Sequence, residues 1–221
     1  MSVYHILPSP DICGGEQQHT YWENGFSQDE IKAIVNYGDG LIKLAGVEAT
    51  TGNGEVTPDI RKSKLAWIEH NNQMGWLYDK LGFIIRQING QYFNFDISGF
   101  GEHFQYTVYN GNDQAFYDWH IDKGNQNGSV APRKLSMVVQ LSDPTEYEGG
   151  ELQLFTGAGI EKKGMEDGSL IEQVFGDGIQ SVSKKQGIVH IFPSWVVHRV
   201  TPVTRGTRKS LVIWVCGPKF R

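Results

Sequence analysis

The run Trp119-His120-Ile121-Asp122 sets an imidazole and a carboxylate two residues apart, and His198, followed by Arg208, brings a second imidazole and a guanidinium near the carboxyl end. Residues i and i+2 of an extended strand project from one face, so His120 and Asp122 are expected to reach one metal while Ile121 points away. His198 from a distant strand would complete a 2-His-1-carboxylate facial triad, a donor set that suits Fe(II) and leaves the opposite face of an octahedral ion open. Histidine and aspartate at this spacing also occur as ordinary polar pairs, so the pair takes its meaning from its surroundings.

Strand alternation supplies those surroundings. It groups Ser194, Val196, His198 and Val200 on one face, opposite Trp195, Val197 and Arg199. In the last strand it groups Arg208, Ser210, Val212 and Trp214 opposite Lys209, Leu211, Ile213 and Val215. Arg208 therefore looks inward from a mostly apolar face, where an unpaired guanidinium is costly. A dicarboxylate co-substrate would answer it, because the guanidinium fork matches a carboxylate and Ser210 offers one more hydrogen bond. His5, His19, His70 and His103 lie outside this pattern, and His190, inside the apolar run Ile188–Phe192, reads as a core or edge histidine.

The elements that position these groups follow from texture. Ser27-Gln28-Asp29-Glu30 is a capping box ahead of Ile31, Ile34 and Val35, which predicts a short amphipathic helix ending near Gly38–Gly40. Trp76, Leu77, Leu81, Ile84, Ile85 and Ile88 form the apolar stripe of a second helix, expected over Glu69–Ile88. From Tyr92 onward short β-rich runs alternate with turns: Tyr92–Phe95, Phe104–Tyr109, Leu135–Leu141, Glu151–Phe155, Gly187–Phe192, Trp195–Val200 and Arg208–Val215. These predict a mainly β sandwich or barrel with helices packed on one sheet. Gly149-Gly150 reads as a hairpin entry, and Lys123–Gly128 and Thr156–Ser183 read as loops, the latter either a lid or a passive insert.

With 221 residues and 39% hydrophobic content the chain is long enough for one sizeable core, so one domain is expected: a helical support region over 1–90 and a β core over 91–221. A formal charge of -5 argues against bulk nucleic-acid or anionic-membrane binding. No Asp or Glu follows Asp177, whereas Lys184, Lys185, Arg199, Arg205, Arg208 and Lys209 do, which leaves a local anion site open beside the plainer reading of a solvated basic edge. Cys13 and Cys216 form no C-x-x-C pair, and neither a signal peptide nor a membrane-length apolar run is present, so a soluble, cytoplasmic protein is expected. Oligomeric state is not readable from the chain.

Several ordered motifs carry a resemblance. Arg133-Lys134-Leu135-Ser136, Leu141-Ser142-Asp143-Pro144, Tyr147–Leu152, Phe192-Pro193-Ser194 and the run His198–Arg208 resemble the PKHD-type and prolyl 4-hydroxylase branch of the Fe(II)/2-oxoglutarate dioxygenases. The resemblance covers residues 100 to 217. It implies a double-stranded β-helix, or jelly roll, with His120, Asp122 and His198 as iron ligands and Arg208, helped by Ser210, on the distal carboxylate of 2-oxoglutarate. Tyr106, Tyr109 and Tyr117 are the candidate tyrosines for the co-substrate, each with the alternative of being an ordinary strand aromatic.

The resemblance further implies an oxidoreductase using Fe(II), 2-oxoglutarate and O2, with L-ascorbate as a reductant, that hydroxylates an unactivated C–H bond and releases succinate and CO2. A prolyl or other residue of a peptide or protein is the leading substrate. Trp119, Tyr117, Trp195 and the Thr156–Ser183 excursion are expected to form its groove. A free amino acid or small metabolite is the alternative, favoured by a closed pocket with an additional charged anchor. A non-catalytic jelly-roll module with a structural metal is the reading from another class, and it would not need Arg208 and Ser210 facing inward.

Overall fold

The computed structural model describes residues 17–49, 57–122, 132–157, 160–164, 170–174 and 178–219. Its elements are, in order, β1 (Thr20–Trp22), α1 (Gln28–Ala45), β2 (Val47–Glu48), β3 (Arg61–Lys62), β4 (Lys64–Ile68) and α2 (Gly75–Ile88). A π-helical turn, Asn89–Phe93, leads into β5 (Gly99–Phe100), β6 (Phe104–Asn110), β7 (Phe116–His120), β8 (Arg133–Gln140) and β9 (Tyr147–Gly149). There follow β10 (Leu152–Phe155), β11 (Ile160–Gly164), β12 (Leu170–Val174), β13 (Ile179–Ser181), β14 (Val189–Pro193), β15 (Val197–Val200) and β16 (Val203–Cys216).

Two antiparallel sheets make the jelly roll. The larger runs β1-β14-β8-β16-β6-β4-β2, with β5 and β9 also pairing β16, and the smaller runs β13-β10-β15-β7-β3. Alternation along β8 and β16 divides the side chains between two cores. Leu135, Met137, Val139, Leu211 and Ile213 pack under α1 and α2 against Ile31, Ile34, Leu77, Leu81 and Ile84. Tyr109 and Val138 face the other way, into the space between the sheets, where Leu152, Leu154 and Val200 meet them. Each such side chain contributes about 1.5–3 kcal/mol by leaving water, so the alternation is enforced from both faces at once.

The helices differ from the sequence expectation at their ends. The capping box at Ser27 and Glu30 forms as expected, but α1 continues past Gly38 to Ala45 and ends where the Gly46 N–H returns to the Ile42 carbonyl. Gly38 is a packing residue: a Cβ there would lie 2.6 Å from the Tyr106 ring. Helix α2 begins at Gly75 rather than Glu69, because the Asn71 side chain accepts from the Gln73 and Met74 N–H groups and holds the preceding turn. The strand expected over Tyr92–Phe95 does not form. The Asn89 side chain bonds both the N–H and the carbonyl of Phe95, at 3.0 and 2.9 Å, taking the groups a strand ladder would use.

Residues before 90 also supply strands to both sheets: β1 pairs β14, β4 pairs β6, and β3 pairs β7. Within the Thr156–Ser183 excursion, β11 and β12 pair as a separate two-stranded sheet. Lys123–Gly128, Cys13, His5 and part of that excursion lie outside the described residues. Among the described residues no helix is long and apolar enough to cross a membrane.

Candidate metal centre

Strands β7 and β15 pair so that His120 lies opposite His198, with a register irregularity between His198 and Val200. The chain leaves β7 at His120, so Asp122 sits just past the strand and not within it as the sequence reading had it. Its backbone N–H donates to the Ser194 carbonyl at 2.9 Å, which ties it to the turn preceding β15. The i, i+2 spacing still brings both side chains to one point, but a long-range hydrogen bond does the holding.

One ligand-type atom from each of His120, Asp122 and His198 lies within 4.8 Å of the others. His120 Nε2 is 3.8 Å from Asp122 Oδ1, and His198 Nε2 is 3.5 Å from Asp122 Oδ2. His120 Nδ1 is 2.7 Å from the Asp118 carbonyl and His198 Nδ1 is 2.9 Å from the Val196 carbonyl. A carbonyl only accepts, so each Nδ1 carries the proton and each Nε2 turns a lone pair toward the carboxylate.

Burial, and after it the neighbouring His198, hold the His120 imidazole well below its ordinary range, with Asp122 opposing in part. Burial pushes the Asp122 carboxyl up, but His198, His120, the Ser136 hydroxyl and the Trp214 indole together carry it below the usual carboxylate range. Neutral imidazoles and an ionised carboxylate are the forms that a cation binds. Two nitrogens and one oxygen on one side also fit Fe(II) with open positions.

Supporting contacts lock this set. The Ser136 hydroxyl donates to Asp122 Oδ2 at 2.7 Å and lies 3.1 Å from Ser194 Oγ. The Tyr117 ring stacks on His120 with centroids 3.5 Å apart, and the Arg61 guanidinium carbon lies 4.4 Å from the centroid of the same Tyr117 ring. Burial comes first in pushing the Tyr117 phenol up to about 12.

A cavity of about 480 Å³ opens beside the triad, walled by Trp67, Tyr109, Tyr117, Arg208, Ser210 and Trp214 among others. Arg208 is 1% exposed, the most deeply buried cation in the site. It donates to Ser210 Oγ at 3.3 Å and to Gln140 Oε1 at 3.1 Å, both neutral groups. Among the described residues it has no carboxylate partner. Its Nε and the Gln140 Nε2 are both buried without a hydrogen-bond partner. A buried cation with spare donors on and beside it fits a carboxylate ligand such as the distal end of 2-oxoglutarate.

Residues 104–216 match the model of the 2OG-Fe(II) oxygenase superfamily. The chain belongs to that superfamily. A PKHD-type hydroxylase of Teredinibacter turnerae is 35% identical over 105 residues, 45% of this chain and 37% of that protein, so the match spans well under half of the relative's length. Among solved structures, a Pseudomonas putida prolyl-4-hydroxylase has a TM-score of 0.64 at 20% identity, covering 91% of this chain and 94% of that one. A Trichoplax adhaerens prolyl hydroxylase, solved with a hypoxia inducible factor peptide, has a TM-score of 0.69 at 17% identity, covering 90% and 83%. These two share the jelly-roll fold.

Of the three tyrosines singled out for the co-substrate, Tyr109 and Tyr117 line the cavity of this oxygenase fold and Tyr106 does not. Tyr106 has the opposite alternation on β6 and faces α1, where its hydroxyl donates to Asp39 Oδ1 at 2.8 Å. Tyr109 stands across from Arg208 in the β6–β16 register, its ring centroid 5.3 Å from the guanidinium carbon. The expected groove also changes. Trp195 packs on Phe95, and Trp119 carries the Arg199 guanidinium, while Trp67 and Trp214 take the cavity wall.

Sequence reasoning passed over Arg61, Ser136, Gln140 and Trp67. For Ser136 and Gln140 the signal was present, since both share the inward alternation of β8 with Val138. For Arg61, on a two-residue strand, no periodic signal exists.

Proposed function

We propose that this protein is an Fe(II)- and 2-oxoglutarate-dependent dioxygenase that hydroxylates an unactivated C–H bond of a prolyl or other residue in a peptide. The observation that carries the reading is the pairing of a converging His120, Asp122 and His198 with a buried Arg208 that has no carboxylate partner among the described residues, on one cavity. His120, Asp122 and His198 would hold the iron. Arg208 and Ser210 would hold the distal carboxylate of 2-oxoglutarate, with Tyr109 against the guanidinium. When bound, the pair would activate O2, yield succinate and CO2, and supply the oxidant for the C–H bond, with ascorbate keeping the iron reduced.

The residues of the chain supply order and dryness. The Nδ1 bonds of His120 and His198 and the Ser136 bond to Asp122 fix the ligand atoms before the metal arrives, which lowers the entropic cost of binding it. Tyr117 locks the His120 ring plane, and Val138, Leu152 and Val200 add apolar side chains to the cavity lining. Trp67 and Trp214, with centroids 6.2 Å apart, make an aromatic wall that suits an apolar ring such as proline more than a polar metabolite.

Adding Fe(II) and 2-oxoglutarate without oxygen should give a visible charge-transfer band, and admitting oxygen with proline-containing peptides should give succinate and a 16-dalton gain. His120→Ala and Asp122→Ala should abolish Fe(II)-dependent succinate formation. Absence of both the band and the turnover in the unaltered protein would refute the enzyme reading.

A further inference from the structure

Beside the metal cavity lies a second hollow of about 550 Å³, walled by Trp67, His70, Tyr78, Phe100, Glu102 and His103 among others. Trp67 and Glu102 line both, so the two hollows meet over a shared rim. The rings of the second come from separate pieces of chain: Trp67 from β4, Tyr78 from α2, Phe100 from β5, and His70 and His103 from the connections after β4 and β5. Tyr78 is held twice, its ring stacked on Phe104 with centroids 3.7 Å apart and its hydroxyl donating to the Ile68 carbonyl at 2.7 Å. His70 and Phe100 meet that ring nearly at right angles, at 5.1 and 6.0 Å. The groove is thus formed before any ligand arrives, yet Trp67 stays 40% exposed and both histidines are exposed.

Charge narrows the occupant. Among the described lining residues Glu102 is the only acid, no Lys or Arg is present, and the Glu102 carboxylate accepts two 2.6 Å hydrogen bonds from Arg133. The groove therefore calls for no counter-charge, and its rings suit a neutral side chain that packs edge or face against them. A free amino acid fills one hollow only. A ligand that reaches both over the rim must carry chain beyond its reacting residue.

We propose that this groove is a subsite for a peptide substrate and takes a large apolar or aromatic side chain flanking the residue presented to the metal cavity. This deepens the peptide reading above and rests on it. The continuity at Trp67 and Glu102 supplies the occupant: the groove is filled by the same chain that enters the cavity.

The test uses synthetic peptides with one proline in an alanine and glycine host, with phenylalanine, lysine or alanine at each flanking position in turn. Succinate formation is followed with Fe(II) and 2-oxoglutarate. At one position phenylalanine should raise kcat/KM about tenfold over alanine, chiefly through KM, as expected when a large apolar side chain leaves water, and lysine should not. Replacing both groove histidines, His70→Ala with His103→Ala, should lower that phenylalanine-to-alanine ratio several-fold. The ratio is internally normalised, so loss of folded protein cancels from it. No preference at any position, a preference for lysine, or a ratio unchanged in the double variant would overturn the proposal. So would free proline turned over as well as any peptide, or a parent that shows the charge-transfer band and turns over no peptide. Loss of self-association in the double variant with the ratio unchanged would give the groove to a second copy of this chain. A parent with neither the band nor any turnover would instead overturn the functional reading on which this one rests.

Discussion

Replacing Arg208 by methionine separates the needs of folding from those of co-substrate binding. Removing an arginine from a buried ion pair ordinarily costs about 3–5 kcal/mol, because the partner charge is left unpaired. Arg208 has no such partner among the described residues; its contacts are neutral groups, among them the Ser210 hydroxyl at 3.3 Å, the Gln140 amide at 3.1 Å and the Tyr147 phenol. Its removal frees neutral groups only, at about 1–3 kcal/mol each in the worst case, and relieves the desolvation of an uncompensated guanidinium, which acts in the opposite direction. The metal-loaded variant should therefore lie within about 1.5 kcal/mol of the parent. The ligand response should differ sharply. At 2-oxoglutarate one hundred times its Kd the parent gains about 2.7 kcal/mol. For a chain of 221 residues this is a Tm rise of about 5–10 °C. Scanning calorimetry of Co(II)-loaded proteins, with and without 2-oxoglutarate, should show that rise in the parent and less than a fifth of it in Arg208→Met. A variant destabilised by more than about 3 kcal/mol that still shows the full ligand shift would refute the reasoning. Arg133, which makes two 2.6 Å bonds to Glu102 and stacks on Trp214, is the contrasting case and should be the more damaging methionine substitution.

Ser136→Ala removes the 2.7 Å bond to Asp122 Oδ2 and should weaken metal binding about 10- to 100-fold, read by chelator competition, while 2-oxoglutarate affinity of the fully loaded protein stays within a few-fold. Gly150→Ala puts a Cβ 2.9 Å from Arg208 Cδ on a residue with φ of +58°, so it should destabilise the fold by about 1–2 kcal/mol and raise the 2-oxoglutarate requirement. Unchanged co-substrate affinity would free Gly150 of any link to Arg208. His190 is held at about 4, first by burial, with the Ser183 carbonyl opposing and Arg208 assisting. Because the unfolded histidine binds its proton near 6.5, the unfolded state holds more protons below that pH, and stability must fall as pH drops from 6.5 toward 4. For His190 alone the loss is about 2 kcal/mol by pH 5, seen as a lower urea midpoint. His190→Asn should flatten that slope.

Much of the site was legible along the chain because β alternation is local. Arg208, Ser210, Val212 and Trp214 fall on one face by counting alone, and all four line the cavity. The same counting could not place the tyrosines. Tyr106 and Tyr109 differ by three residues and so take opposite faces of β6, but which face looks into the cavity depends on which side α1 covers. Nor could it show that the apparent strand Tyr92–Phe95 would be captured by the Asn89 side chain.

Residue types and period-two spacing determined the chemistry available here: three metal-ligating groups, an inward guanidinium and the mainly β scaffold that carries them. Tertiary structure alone decided that His120 pairs across from His198, that Asp122 hangs from Ser194 beyond its strand, and that the orphaned amide of Gln140 sits beside Arg208. Side-chain direction within a strand is set by its own backbone, whereas strand register is set by burial summed over partners far apart in sequence.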